Sequence, residues 1–481
     1  MSNNSRFFFV LLSVGAAIGL GNIWLFPHLS YKFSGLFFIP YLIALLVLGF
    51  PLLLLEFTIG QYFDKDVVDC FASVRKWFSS IGWLMVINAI ILMSIYAVIF
   101  AWHIIYFFVS FGQQWKNDAF SYFFINVVQA SSGFKSFTQF SFPLFLALIL
   151  AWTIIFLYIR KGYESMKKTF LATFTALLAL IFFFLLYTLS LDSALQGVYS
   201  FLKPSFKSLM KPSVWFYSFS LAAASLGLSF GIMPAFARKS DKGFNVGNAS
   251  IVVVFELMLS IILGFIIFSI LGFLSMKKGI NIQALAFNDP SSEFTVLAQA
   301  LPLLPHPTIM SMLFFVFTAI FLVLGISSLA YSISHVFIHK FKTKHFSAAV
   351  TASGIGFLAG FALILGPGYY VMDIINHFFY YNILIVLFLE TAAIGWFFEI
   401  QKLADFINQN SALKIGALWA FMIRYITPLL LALLIFIQVR KDIQMSYSNY
   451  PWQYLIIFGF GIVVAPIVIA FLMPQKLLDR K

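Results

Sequence analysis

Two short segments combine glycine with small polar residues in a pattern that can expose backbone groups for binding. They are 15–22, with the sequence GAAIGLGN, and 225–231, with the sequence SLGLSFG, which Pro234 follows closely. Gly weakens a helix by roughly 1 kcal/mol relative to Ala, and Pro removes a backbone hydrogen bond. If these segments interrupt helices, the freed amides suit a carboxylate and the freed carbonyls suit a cation. The alternative is that the glycines only let neighbouring helices pack closely.

Three acidic residues, Glu56, Glu256 and Glu390, lie inside long apolar stretches. A carboxylate at that depth in a membrane costs about 2.5 kcal/mol or more unless it is compensated. Each is therefore expected to be protonated, hydrogen-bonded or paired with a cation. We interpret Glu56 and Glu390 as structural or gating groups that bond the helix containing segment 225–231, rather than as ion ligands. The single cysteine, Cys70, excludes an intramolecular disulfide and offers no metal cluster. A membrane-embedded enzyme finds no support, because no acid–base pair or metal motif lies at one depth.

The amino-acid composition indicates that the protein is embedded in a lipid bilayer. Of 481 residues, 62% are hydrophobic and 10% are charged. In soluble domains about 45–50% of the residues are apolar and about 25% are charged. The lipid bilayer must therefore cover much of the surface. The net charge of +13 comes largely from Lys and Arg in short loops between apolar runs. Membrane topology explains these residues better than a nucleic-acid partner, and we expect none.

Runs of about 20 apolar residues predict about twelve membrane-spanning helices. The polar N-terminus leads straight into the first run, so we expect no cleavable signal peptide. The excess of Lys and Arg in alternate loops predicts that both termini are cytoplasmic, in the cell inner (plasma) membrane. The predicted spans lie near 7–31, 36–61, 81–111, 140–159, 166–190, 213–237, 247–275, 309–338, 346–365, 371–398, 415–438 and 453–473.

The two glycine segments fall in the first and sixth of these spans. If spans one to five and six to ten are repeats, the segments occupy corresponding positions. Paired interruptions in the two halves of a transporter mark a binding site near the middle of the membrane. This agreement favours broken helices over close packing.

The segment 15–24, GAAIGLGNIW, followed by Phe26-Pro27, resembles the first-helix signature of the neurotransmitter:sodium symporter family. The resemblance covers nearly the whole chain in order. It continues through 39–41, 49–52, Glu56, 60–61, 202–204, 225–231, 325–328, 389–390, 395–396 and 424–428.

The resemblance implies an all-α polytopic membrane protein with the leucine-transporter fold and broken helices 1 and 6. The chain would form a single transmembrane transporter domain, 1–481. An inverted five-plus-five repeat would place repeat one at about 7–190 and repeat two at about 213–398, with extra helices at about 415–473. The implied function is sodium-coupled symport of a small, apolar amino acid by alternating access. A homodimer is an arrangement that the resemblance allows.

The resemblance also implies two sodium sites. The first would use the carbonyls of Gly15, Ile18 and Leu324 and the hydroxyls of Ser327 and Ser328. Alternatively, these two serines only bond back to their own helix. The second would use the carbonyl of Ala17, the amide of Asn22, the hydroxyl of Ser225 and the side chain of Glu256.

Glu256 departs from the family, which has an amide side chain at this position. We expect Glu256 to face sodium and to supply the negative charge that chloride supplies in some relatives. The alternatives are that it carries a proton, which would make the protein proton-coupled, or that it is a structural acid bonded to a hydroxyl. Chloride dependence is not expected, because Leu221 cannot donate a hydrogen bond. The positions that match the chloride site are Tyr41, Leu221, Ser225 and Ser260.

For the substrate, amides near Leu20 and Gly21 and the hydroxyl of Tyr96 match positions that hold a carboxylate. Gly19 stands where monoamine carriers have an aspartate, so an amino acid is favoured over a monoamine. Ala224 replaces a position that is usually bulky and aromatic. This leaves room for a larger apolar side chain, unless neighbouring phenylalanines fill it. The implied side-chain pocket is Leu92, Ala224, Gly227, Phe230, Ser328 and Ser332.

The gates depart from the family as well. Leu25 and Asn376 stand where an arginine and an aspartate close the outer side, so outer closure is expected to depend on packing of Leu25, Phe230 and Asn376. At the inner side, Arg238-Lys239 lack the expected serine–tyrosine pair, and Lys342 lies where an acid is expected. These changes leave open a transporter-like receptor that binds a ligand without net transport.

Overall fold

The computed structural model describes residues 3–18, 25–33, 37–130, 134, 139–203, 206–240, 245–285 and 291–473. In this part of the chain the regular structure is helical, without strands. The helices are α1 Asn3–Ile18, α2 Leu25–Phe33, α3 Phe38–Phe63, α4 Val67–Ala72, α5 Lys76–Val109, α6 Phe142–Ile159, α7 Tyr163–Leu189, α8 Ala194–Leu202, α9 Pro212–Ser225, α10 Ile232–Ala237, α11 Asn245–Lys278, α12 Pro307–Phe341, α13 His345–Leu363, α14 Gly368–Phe397, α15 Ile400–Asn410, α16 Ala417–Asn449 and α17 Trp452–Leu472. Shorter helical turns lie in the loops.

Within the described residues, ten helices are long and apolar enough to cross a membrane. They are α3, α5, α6, α7, α11, α12, α13, α14, α16 and α17. Each corresponds to one predicted span. The two remaining predicted spans are 7–31 and 213–237, which contain the glycine segments and consist of shorter helices. The protein is therefore an all-α polytopic membrane protein, as predicted.

The sixth span is broken between α9 and α10. Ser225 ends α9 and Ile232 begins α10. Between them, Gly227, Ser229 and Gly231 have φ values of 68°, 71° and 66°. Glycine adopts this left-handed conformation without the steric cost that a Cβ imposes. The predicted break is confirmed, and close packing alone does not explain this segment.

The first predicted break lies largely outside the described residues. Helix α1 ends at Ile18 and α2 begins at Leu25. The predictions for Gly19, Leu20, Gly21 and Asn22 fall between them. At Gly15 a Cβ would lie 2.2 Å from the ring of Phe170 on α7. Close packing between helices is thus one reason for glycine at this position.

The broken sixth span lies in the interior of the bundle. Helix α9 packs against α3 and α14, and α10 packs against α3 and α12. In their most apolar segments, 83% of the residues of α5 and α14 are buried, compared with 22% in α17. The α5 and α14 helices therefore belong to the core, and α17 forms part of the lipid-facing surface. The division into two five-helix repeats stays a prediction.

Candidate substrate and ion sites at the broken sixth helix

Two side chains from other helices hold the unwound segment in place. Glu56 on α3 accepts a hydrogen bond from the backbone N–H of Ser229 through Oε1, at 2.9 Å. Ser332 on α12 donates its hydroxyl to the carbonyl of Phe230, also at 2.9 Å. Both bonds satisfy backbone groups that the helix break leaves without helical partners. Glu56 therefore bonds the broken helix, as predicted.

Glu390 on α14 does not show the same bond. Its side chain is fully buried, and it interacts electrostatically with Glu56. Within the described residues, neither of its carboxyl oxygens has a hydrogen-bond partner. The prediction that Glu390 also bonds the sixth helix is wrong for this part of the chain. The exposed backbone amide of Ser229 donates to Glu56 instead.

The carboxyl group of Glu256 lies among hydroxyl groups. Tyr41 on α3 and Ser260 on α11 both donate to its Oε1, and the Ser260 bond measures 3.0 Å. The Tyr41 hydroxyl also lies 3.0 Å from Ser225 Oγ at the end of α9. All four side chains are fully buried. Three of the four positions that match a chloride site thus surround an acid of the chain itself; the fourth, Leu221, is buried and apolar.

The two serines of the predicted first sodium site differ in their hydrogen bonds. Ser328 Oγ donates to the carbonyl of Leu324 at 2.8 Å, so it bonds back to its own helix. Ser327 is fully buried, and its hydroxyl has no hydrogen-bond partner among the described residues. Helix α1 packs against α12. The carbonyls of Gly15, Ala17 and Ile18 belong to the last turn of α1, and helix ends leave such carbonyls without intrahelical donors.

A hard cation prefers oxygen ligands. The buried hydroxyl of Ser327 and the carbonyls at the end of α1 are groups of this kind on neighbouring helices. The residues present therefore fit a sodium ion as co-substrate, with Ser328 contributing only if it gives up its bond to Leu324.

The predicted substrate-pocket residues in the described part of the chain come from α5, α9, α12 and the segment between α9 and α10. Leu92 and Tyr96 are buried on α5, and Ala224 is buried at the end of α9, next to the unwound segment that contains Gly227. Phe230 stacks on Phe379 of α14, with ring centroids 6.2 Å apart. Sequence reasoning missed Phe379, although the run FFYY at 378–381 signals an aromatic surface on this helix.

A small cavity lies between α5 and α14, on the side that the predicted orientation makes the outer one. Asn376 lines a cavity of about 10 Å³, which is at the lower limit for one water molecule. The other lining residues are Ile95, Ile99, Tyr369, Met372 and Asp373. Leu25 begins α2, and its side chain lies outside the described residues. Of the two predicted gate residues, Asn376 therefore borders a space no larger than about one water molecule.

Comparison with known proteins identifies the group to which this arrangement belongs. The Sodium:neurotransmitter symporter family matches residues 2–120 and 113–479. The chain belongs to this family. It is similar to an uncharacterized sodium-dependent transporter of Methanocaldococcus jannaschii, with 32% identity over 96% of the chain and 95% of the relative.

Relatives in animals are more distant. A sodium- and chloride-dependent GABA transporter 2 of Homo sapiens is 27% identical over 93% of the chain and 82% of its own length. A sodium- and chloride-dependent taurine transporter of Rattus norvegicus is 27% identical over 97% of the chain and 82% of its own length. Membership of the family indicates sodium-coupled transport of a small molecule across a membrane.

At the end that the predicted orientation makes the inner one, the protein has ion pairs that sequence reasoning missed. Arg238, just after α10, donates to Asp64 at 3.0 Å, and Lys340 on α12 pairs with Asp69 on α4. The acids come from the segment between α3 and α5, rather than from the region of Lys342. Their signal in the sequence is the cluster of three aspartates at 64, 66 and 69.

The third of these acids, Asp66, caps α4. Its Oδ1 accepts hydrogen bonds from the backbone N–H groups of Val68 and Asp69, at 3.0 and 3.2 Å. Burial, and then the charge of Asp69, raise the pKa of Asp66 to about 7. This symporter therefore has a group that titrates near neutral pH beside its inner ion pairs.

Proposed function

We propose that the protein is a sodium-coupled symporter that carries a small, apolar amino acid by alternating access. The observation that supports this proposal most strongly is the broken sixth helix. Its unwound segment is buried and held by Glu56 and Ser332 from two other helices. In the proposed orientation both termini are cytoplasmic, in the cell inner (plasma) membrane.

An amino acid is the substrate class that the site residues favour. Tyr96 and the amides near Leu20 and Gly21 would bind the carboxylate, and the unwound carbonyls would face the amino group. Leu92, Ala224 and Phe230 give the pocket an apolar wall. The relatives named as GABA and taurine transporters are consistent with a substrate of this kind.

Sodium is the proposed driving ion, and chloride is not required. Two hydroxyls donate to Glu256 Oε1, which favours the ionised carboxylate. A buried carboxylate needs a nearby cation, and sodium bound by Ala17, Asn22 and Ser225 would provide it. The Glu256 charge would then replace chloride, which the human and rat relatives are named as requiring. The Methanocaldococcus relative is named only as sodium-dependent.

The test is uptake by purified protein in proteoliposomes, with a panel of labelled amino acids. We expect uptake of an apolar amino acid that requires an inward sodium gradient and continues when gluconate replaces chloride. The matched variant is Glu256→Gln, which keeps the shape of the side chain and removes its charge. We expect this variant to lose most uptake in gluconate and to regain part of it in chloride.

Other results would favour the alternatives. Uptake driven by a proton gradient without sodium would favour proton coupling through Glu256. Sodium-dependent binding of an amino acid without any uptake would favour a receptor without net transport. Loss of parent uptake in gluconate would refute the proposed role of Glu256.

A further inference from the structure

A surface cleft of about 600 Å³ lies at the end of the bundle where α14 ends and α16 begins. It is separate from the broken sixth helix and from the ion sites. Helix α15 lies beside it and buries Ile400, Leu403 and Ile407 against the bundle. The residues that line the cleft include Trp396, Phe397, Glu399, Arg424 and Tyr425.

The backbone beneath Arg424 is held in a defined position. Pro428 has no N–H, so the Arg424 carbonyl lacks its usual helical donor. The indole N–H of Trp396 donates to this carbonyl instead, at 2.7 Å. A Cβ at Gly395 would lie 2.9 Å from the Cα of Arg424, so the two helices touch closely here. The cleft is therefore built on fixed contacts between α14 and α16.

The cleft presents an exposed arginine side chain. The Arg424 side chain is exposed and forms no ion pair with the described residues. Arg75, just before α5, lies over the ring of Phe397 at 4.4 Å and likewise has no ion pair in the described part of the chain. The acid of the cleft, Glu399, is paired with Lys402 at 3.0 Å. Arg424 thus lines the cleft without an ion-pair partner among the described residues, and Arg75 lies beside it over Phe397.

The depth of Arg424 matches the lipid headgroups. The helical segment 417–444 is about 42 Å long at about 1.5 Å per residue, and the hydrocarbon core is about 30 Å thick. Arg424 lies about 10 Å from the start of this segment, so its long side chain reaches the boundary between hydrocarbon and headgroups. Trp396 and Tyr425 are about half exposed beside it, and Trp and Tyr prefer this boundary.

We propose that this cleft binds the phosphate of an anionic phospholipid. Arg424 binds the phosphate through its forked guanidinium, and Arg75 approaches it from the loop between α4 and α5. The acyl chains lie against the apolar surface of α16. This site is independent of what the protein carries.

The experiment measures lipid binding to the purified full-length protein in nanodiscs. Phosphatidylglycerol is titrated into a phosphatidylcholine background, and bound lipid is counted by native mass spectrometry. We expect tighter binding of phosphatidylglycerol than of phosphatidylcholine. Because one basic group near the membrane surface contributes about 1 kcal/mol, Arg424→Gln is expected to weaken phosphatidylglycerol binding about fivefold.

Two further variants keep the test decisive. Arg75→Gln alters a loop outside the spans and is expected to weaken binding in the same direction. Arg440→Gln removes a charge from the other end of the same helix and is expected to leave binding unchanged. The proposal is overturned if neither Arg424→Gln nor Arg75→Gln weakens binding, or if Arg440→Gln weakens it equally. Full competition by millimolar inorganic phosphate would also overturn it, since the cleft would then be a free-anion site.

Discussion

In the proposed transport pathway, the outer and inner ends are closed by different forces. At the outer end, Phe230 stacks on Phe379, and the space beside Asn376 is nearly filled. At the inner end, Lys340 and Arg238 pair with acids from the segment between α3 and α5. Packing does not respond to salt or pH, whereas charge pairs do. The inner end is therefore the one whose opening solution conditions can control.

The largest expected effect is at the buried inner pair. Lys340 is 3% exposed and Asp69 is 28% exposed, so Asp69→Asn removes the carboxylate that is bonded to a buried ammonium, at a cost of about 3 kcal/mol. Cys70, the single cysteine, is buried beside this pair and reports its opening. Burial raises the pKa of the Cys70 thiol, which slows its labelling in the closed state. We expect labelling by a maleimide to become about a hundredfold faster, the factor that corresponds to about 3 kcal/mol.

The control for that measurement is at the outer end. Phe379→Leu should leave the labelling rate of Cys70 close to that of the parent. If the Asp69→Asn protein is labelled no faster than the parent, the buried pair does not close the inner end.

The next largest effect is a dependence of folding stability on pH, which arises from Asp66. Its pKa of about 7 in the folded protein lies above the ordinary value of about 3.9. The folded state therefore binds more protons than the unfolded state between these values, and stability falls as pH rises toward 7. Between pH 5 and 7.5 we expect a loss of about 2 kcal/mol, seen as a falling melting temperature. Asp66→Asn keeps a capping residue and should flatten this dependence; an equal fall in this variant would refute the assignment.

A smaller effect is expected at the outer aromatic pair. Phe379→Leu keeps an apolar side chain but removes the ring contact with Phe230, which contributes about 1 kcal/mol. Bound amino acid should therefore dissociate several-fold faster from the outer side. The change should be the same in 50 mM and 500 mM salt; a strong salt dependence would contradict closure by packing.

The smallest effect is expected at the exposed inner pair. Arg238 is 18% exposed and Asp64 is 69% exposed, and pairs of this kind contribute about 1 kcal/mol or less. Asp64→Asn should therefore speed labelling of Cys70 only a few-fold, and high salt should remove the difference. An effect as large as that of Asp69→Asn would show that burial does not separate the two pairs.

The site was only partly predictable from the sequence. The hydroxyls at Tyr41, Ser225 and Ser260 and the acid at Glu256 were each identified from their positions. Sequence reasoning gave the Glu256 carboxylate the role of chloride but did not predict its direct contact with Tyr41, 215 positions away in the chain. Ser327 and Ser328 were equivalent in the sequence. Only the structure separates Ser328, whose hydroxyl bonds its own helix, from Ser327, whose hydroxyl has no partner among the described residues.

The sequence by itself determined the membrane spans and the break in the sixth, because hydropathy and the conformational freedom of glycine act over a few neighbouring residues. Only the tertiary structure decided which distant groups meet, such as Lys340 with Asp69, Phe230 with Phe379, and Trp396 with the carbonyl of Arg424. These contacts depend on how helices pack side by side, and the local pattern of each helix carries no information about the face of its neighbour.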